Sequence, residues 1–494
     1  MKKNTFFFLL SLFLSLAMYG FFAGCGPSDV QPLKVGGIAD NEFDPEEWGK
    51  VYPLEYESWL KTKEPKPVNK SRYKRGWDTD KITYDKLSEF PFLGLLFSGW
   101  GFGIEYNEPR GHYYAIIDQI EIDPSRTGPG GVCLACKTPF HKSFTEKHQM
   151  KYLTAKFNDA LDMLPKKMRE LGPACIDCHD NKTMDLHTNK LHIEKGLAMI
   201  GKTGLTHQEK RIMACGQCHM TYYVPRTQEG KVAGDVTPPW TGGTWANISI
   251  EAIAKDLLTD YKRQEWTQKV TGFRMPFIRH PEFELFTKGS THFNAGLACA
   301  DCHMAYKRVG AYKISDHDVT SPLKTDMKAC AQCHTESATW LKTQVFAIQD
   351  RTISLNSRAG FQAAVAAKLL EMVHTAQQSG KAINQDLYKK AKDFYMQAFI
   401  RFNFISAENS IGFHNPTETA RILGDSLAFS SRAEALLRQV LAEAGIRVPV
   451  NINLELAKYL NNRGKKKLNF RPEQEFKDPY NTQEYFVPKN TRGI

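Results

Sequence analysis

Ten of the eleven cysteines in this 494-residue chain fall into five Cys-x-x-Cys pairs: Cys133/Cys136, Cys175/Cys178, Cys215/Cys218, Cys299/Cys302 and Cys330/Cys333. A disulfide framework rarely spaces every cysteine two apart, so bound metal or a covalent cofactor is the better reading. Four pairs are followed at once by a histidine: His179, His219, His303 and His334. Cys-x-x-Cys-His is the attachment signature of c-type haem, in which both thiols form thioethers to the porphyrin and the adjacent imidazole reaches the iron. Zinc ribbons also use paired Cys-x-x-Cys but need no histidine after each pair. Thioredoxin-like motifs come singly, in a βαβ context that this sequence does not supply. The first pair departs from the pattern, with Lys137 where histidine should stand. A lysine amine binds iron only when neutral, so coordination must pull its ammonium pKa down. The alternative is a degenerate site, against which stands the retention of both Cys133 and Cys136. One odd axial ligand among five marks a haem with a different job.

Low-spin electron-transfer haem needs a second axial ligand, so a five-haem chain with one open site needs four distal ligands among its 15 histidines. Four Cys-x-x-Cys-His motifs preceded by one Cys-x-x-Cys-Lys, in this order, resemble the pentahaem cytochrome c nitrite reductases that form ammonia. The similarity runs from about Arg110-Gly111-His112 to the helix after His414-Asn415-Pro416. The resemblance implies that His112 is the distal ligand of the third haem, His317 of the second, His414 of the fourth and His292 of the fifth. It leaves His141, His148, His187, His192, His207 and His374 as surface or satisfied core histidines.

The resemblance further implies a catalytic pocket on the open side of the lysine-ligated haem, built from Arg126, Tyr222 and His280. A fixed guanidinium would attract nitrite and polarise an N–O bond as charge develops on oxygen. Reduction to ammonium takes six electrons and eight protons, so donors that can be re-protonated are required, a role that suits His280 and Tyr222. In much of that family, glutamate precedes the pocket tyrosine, glutamine precedes the pocket histidine, and both help hold a calcium ion. Here those positions are Thr221 and Arg279. Calcium wants carboxylate oxygen. The expectation is therefore that calcium is absent and that the Arg279 guanidinium takes its space. The competing readings are a non-enzymatic multihaem electron carrier, with every iron six-coordinate, and a related multihaem reductase of hydroxylamine or sulfite.

The elements that must position these residues are legible in part. Haems spread over residues 133–334 displace a conventional core, so that region is expected as loops and short helices rich in Gly and Pro. Beyond it, Phe361–His374 and Gln385–Arg401 recur at helical spacing. Asn415-Pro416-Thr417-Glu418 reads as an N-cap, a proline at the first helical position and a capping-box acid, opening a helix that runs to Ala444 with Gly445 as its stop. The predicted fold is mainly α: a pentahaem cluster over residues 26–340 with long C-terminal helices over 341–494, which in the resembling family form a homodimer interface.

Lys2 and Lys3 precede the uncharged stretch Phe6–Ala23, which ends in Ala23-Gly24-Cys25. Residues 1–24 thus read as an export signal. The Ala-Gly-Cys ending resembles a bacterial lipoprotein signal, in which Cys25 would carry lipid; cleavage nearby or retention as an anchor are the alternatives. The expected location is the periplasm. The formal charge of +11 is scattered, and export argues against a nucleic-acid partner, while a small anionic substrate such as nitrite is compatible. The resemblance implies an electron donor that is either a quinol-oxidising membrane cytochrome or a soluble multihaem carrier.

Overall fold

The computed structural model describes residues 37–74, 84–126, 130–466 and 468–494. The leader 1–24 and Cys25 lie outside the described residues. Within them the chain is mostly helical, and no helix is long and apolar enough to cross a membrane.

The motif-bearing half is made of short pieces. Among them, α1 (His207–Gly216) ends on the third pair, α2 (Glu282–Thr287) follows the pocket histidine, and α3 (Cys299–His303) carries the fourth pair. Thr206 caps α1 through the Glu209 amide, with the Glu209 carboxylate returning the bond. Two short antiparallel ladders stiffen the loops. Strand β1 (Trp266–Thr267) pairs with β2 (Arg274–Met275), and β3 (Tyr306–Val309) with β4 (Tyr312–Ser315), whose end delivers Asp316-His317.

The C-terminal half is three long helices: α4 (Ala338–Gln378), α5 (Gln385–Ala407) and α6 (Pro416–Glu443). The expected start of α5 and both ends of α6 hold to within one residue, while α5 runs past Arg401 to Ala407. Helix α4 starts well before Phe361, capped by Ser337 accepting from the Trp340 amide. The reason is visible in what it buries: Leu341, Val345, Gln349, Thr352, Asn356 and Gly360 keep helical spacing, but three of these six are polar. A stripe of apolar residues alone therefore breaks off there while the helix does not. At the start of α6 the Asn415 oxygen accepts from the Glu418 amide as expected. The Glu418 carboxylate does not complete a capping box; it pairs with Arg421 at 2.6 and 2.9 Å.

Helix α6 buries Thr419, Ile422, Leu423, Ser426, Ser430, Ala433 and Leu437, a regular three-and-four stripe. Its small members allow close approach, and Ser426 Oγ donates to the Ala398 carbonyl of α5 at 2.8 Å. One hydrophobic cluster runs from Tyr73 to Val487 and includes Met213, Phe277 and Phe283 beside Phe361, Phe399 and Leu437. The long helices and the motif region thus share a core.

Candidate haem cluster and reaction site

The ten motif cysteines are all outside disulfides. They line a single continuous cavity of about 1580 Å³, together with Lys137 and the motif histidines His179, His219, His303 and His334. The four predicted distal histidines, His112, His317, His292 and His414, line it too.

Three of the predicted axial pairs face one another. Ring centroids are 6.1 Å apart for His179 and His317, 6.2 Å for His303 and His414, and 6.4 Å for His292 and His334. Two metal–imidazole bonds of about 2 Å each, plus the nitrogen-to-centre distance of two rings, account for that spacing. The fourth pair, His112 with His219, is electrostatically coupled. His219 also meets the His280 ring edge-on at 5.6 Å.

The imidazoles are further held in the form that binds metal. Nδ1 of His179 lies 2.9 Å from the Met184 carbonyl, that of His303 3.1 Å from Thr320, and that of His317 2.9 Å from Ser315. His414 Nδ1 lies 2.6 Å from the Glu408 carboxylate, and His219 Nδ1 3.5 Å from Glu282. An acceptor at Nδ1 places the proton there and leaves Nε2 as the ligand nitrogen. Ring spacing and ring tautomer both fit axial ligation of c-type haem.

The first pair has its own surroundings. Thr138, next to Lys137, is anchored through its carbonyl by the buried Lys190 ammonium at 2.8 Å, which also pairs with Asp177 at 2.8 Å. Arg126, Tyr222 and His280 all line the cavity and all interact electrostatically with this motif: Arg126 with Cys133, Tyr222 with Cys133 and Cys136, His280 with Cys136 and Lys137. Arg126 lies over the Phe102 ring at 4.1 Å. Burial raises the Tyr222 hydroxyl above its ordinary pKa and pushes His280 down to about 4. The pocket therefore presents a permanent cation, a protonated phenol and a neutral imidazole at neutral pH. His280 adopts φ +48° ahead of Pro281, a left-handed conformation that costs of order 1–3 kcal/mol and persists only where packing enforces it.

Arg279 points into a ring of oxygens. Its Nη1 and Nη2 pair with the Glu265 carboxylate at 2.7 and 2.8 Å, and Nη1 also faces the carbonyls of Tyr222 (3.3 Å) and Phe277 (3.4 Å). Burial alone would lower this guanidinium, yet Glu265 holds it above its ordinary pKa. Thr221 does not share the arrangement. Its hydroxyl is buried without a hydrogen-bond partner, and it is the Thr221 amide that is held, by Glu284 at 3.0 Å.

Several residues of this site were invisible to sequence reasoning. Glu265 is fourteen positions from Arg279 with no motif between them; Lys190 and Glu284 each join a backbone group to a distant side chain, the Thr138 carbonyl to Asp177 and the Thr221 amide to Trp240, which pattern does not reveal. Asn409, which contacts His280, sits just upstream of Gly412-Phe413-His414, and that proximity was its one available signal. Of the histidines without an assigned role, His141 is satisfied by Asp235 (3.0 Å) and Tyr152 (3.2 Å), and His374 by Tyr388 (2.7 Å).

Glu284 yields a pH prediction. It is fully buried, accepts from the Trp240 indole at 2.7 Å, and is pushed up to about 8 by burial. An acid protonated in the fold keeps a proton that the unfolded chain has released above about pH 4.5, so its stabilisation is complete below that pH and is lost as pH rises through about 8. Glu284→Gln should remove a pH dependence worth a few kcal/mol over that window. Denaturant unfolding of both proteins at pH 5 and pH 9 reads it directly, and identical pH dependence in the two would refute it.

The comparisons with known proteins agree with this geometry. The family model described as cytochrome c552 matches residues 44–489. The chain is 31% identical over 438 residues to a cytochrome c-552 of Desulfotalea psychrophila, covering 84% of this chain and 78% of that one. It is 30% identical over 447 residues to the cytochrome c nitrite reductase subunit NrfA of Nitratidesulfovibrio vulgaris, covering 85% and 83%. Among solved structures, the cytochrome c nitrite reductase of Desulfovibrio desulfuricans, described for its two calcium sites, superimposes with a TM-score of 0.72 at 27% identity, covering 83% of this chain and 89% of that one. The chain belongs to the cytochrome c552 family, and with that membership comes covalently bound c-type haem.

Proposed function

We propose that this protein carries five c-type haems and reduces nitrite to ammonium at the one held by Cys133, Cys136 and Lys137. The observation that carries the reading is the convergence of Arg126, Tyr222 and His280 on the single motif that lacks a histidine. When bound, the haems supply iron for nitrite at that motif and four further redox centres for electron delivery.

The overall change is NO2⁻ + 6 e⁻ + 8 H⁺ → NH4⁺ + 2 H2O, and the protein side of it is charge placement and proton supply. Arg126 attracts the anion and stabilises charge on its oxygens as the N–O bonds break. Tyr222 keeps its hydroxyl proton to donate, because burial holds its pKa up. His280, neutral, offers a second donor. Lys137 would hold that haem through its amine.

The reading extends to calcium. A guanidinium bonded to the Glu265 carboxylate and facing the Tyr222 and Phe277 carbonyls already supplies positive charge to oxygens that would otherwise suit a hard cation. Arg279 then replaces calcium in holding the loop that bears Tyr222 and His280. Periplasmic location, a lipid at Cys25, a homodimer through α4–α6, and a multihaem electron donor belong to the same proposal and rest on the leader sequence and on resemblance.

The deciding experiment is anaerobic nitrite reduction by the purified holoprotein with a chemical electron donor, quantifying ammonium. Stoichiometric ammonium is expected. Release of nitric oxide, or no turnover, would overturn the reading in favour of another reductase or a pure electron carrier.

A further inference from the structure

Asn409 occupies the short turn between α5 and α6 and makes four hydrogen bonds to three unlike partners. Its Oδ1 accepts from the Lys74 ammonium at 3.2 Å. Its Nδ2 lies 2.5 Å from Glu282 Oε1 and 3.2 Å from His280 Nδ1, while its backbone amide donates to the same Glu282 oxygen at 2.9 Å. The orientation of an Asn side chain is ordinarily ambiguous, because its oxygen and nitrogen look alike. Here two partners remove the ambiguity. An ammonium only donates, so it must face Oδ1; a carboxylate accepts, so it must face Nδ2. Nδ2 therefore faces His280 as a donor, and His280 Nδ1 must be the acceptor.

An imidazole that accepts at Nδ1 is neutral and carries its proton on Nε2. Nδ1 is turned to Asn409, and the ring lines the cavity beside the first motif. This is the reverse of the axial histidines His179, His303, His317 and His414, whose Nδ1 atoms face carbonyl or carboxylate acceptors. The two arrangements separate an imidazole built to ligate through Nε2 from one built to donate through it.

Resting on the nitrite-pocket reading above, we propose that Asn409 is a positioning residue: it fixes His280 as the Nε2–H tautomer and aims that donor at whatever binds the open side of the lysine-ligated site. The other charged or titratable groups that bear on His280 are Glu282, His219, Lys137 and Cys136. None of them dictates the tautomer as directly, since Glu282 Oε1 lies 4.0 Å from Nδ1 and is already occupied by both Asn409 donors.

The test uses the intact holoprotein and carbon monoxide as probe, with haem content measured first. A donor aimed at the bound diatomic lowers its C–O stretching frequency, so wild type should show one low, narrow band. Asn409→Leu, close in size but without donor or acceptor, should move that band to higher frequency and broaden it, toward the position seen in His280→Leu, and lower kcat for nitrite by up to about 10²-fold. Should the leucine variant lose haem, Asn409→Ala deletes the same bonds without bulk and is read instead. An Asn409 variant with the wild-type band, alongside a shifted His280→Leu band, overturns the proposal. An unshifted band in both places His280 away from the ligand and overturns it together with the pocket. If wild type forms no ammonium yet the Asn409 and His280 variants shift alike, the nitrite reading fails while the positioning of His280 stands.

Discussion

Replacing Arg126 with leucine is expected to lower kcat/KM for nitrite by about 10²–10³-fold, the scale of losing one preorganised stabiliser of a developing oxyanion, while the haem content stays that of wild type. The physical reason is that this guanidinium is a half-buried positive charge with no ion pair among the described residues. It rests on the Phe102 face rather than in a tight ion pair, and burial lowers its pKa with only partial opposition from Glu105. Its field is therefore available to an anion entering the cavity. Arg126→Lys should fall between wild type and leucine, since a point charge on a flexible stem cannot present two parallel donors to a bent oxyanion. Steady-state kinetics with haem stoichiometry as control decides the matter. Leucine at wild-type kcat/KM would remove Arg126 from the site.

The second large effect is expected at Arg279. Glu265 is buried with its side chain fully shielded, and it is bonded by Arg279 at 2.7 and 2.8 Å, with Arg226 more distant at 3.6 Å. Arg279→Gln strips the closer cation from a buried carboxylate, a change that costs about 3–5 kcal/mol when one partner of a buried pair is removed. The double variant Arg279→Gln/Glu265→Gln should recover most of that loss, because no uncompensated charge remains. Calcium separates this account from simple packing. Exhaustive chelation should leave wild-type activity and melting temperature unchanged. Arg279→Gln, whose vacated oxygens are the Glu265 carboxylate and the Tyr222 and Phe277 carbonyls, should gain thermal stability on adding calcium. A wild type that loses activity on chelation and regains it with calcium would refute the substitution of arginine for the ion.

How much of this could be read without coordinates varied with the range of the interaction. Each Cys-x-x-Cys-His motif is local: attachment needs two thiols and an imidazole within five consecutive residues, so the sequence alone carries it. The cap at Asn415 and the extents of α5 and α6 are local too. The start of α4 was not legible, because Gln349, Thr352 and Asn356 occupy its buried face and interrupt the apolar period without interrupting the helix. Distal ligands lay between these cases. Spacing showed only that four further histidines were required; resemblance chose them, and the facing rings of His179 with His317, His303 with His414 and His292 with His334 are a property of the folded chain.

The sequence by itself determined that this chain has five Cys-x-x-Cys pairs and that one of them, ending in Lys137, differs from the rest, because that information resides in adjacent residues. Only the tertiary structure decided which carboxylate holds Arg279, which way the His280 ring presents its proton, and that Thr221 stands apart from the arginine beside the pocket. Those outcomes depend on groups that meet across 14 positions for Arg279 and Glu265 and 129 for His280 and Asn409. A donor, an acceptor and a buried charge acquire their roles from what folding sets opposite them, and no local spacing encodes that.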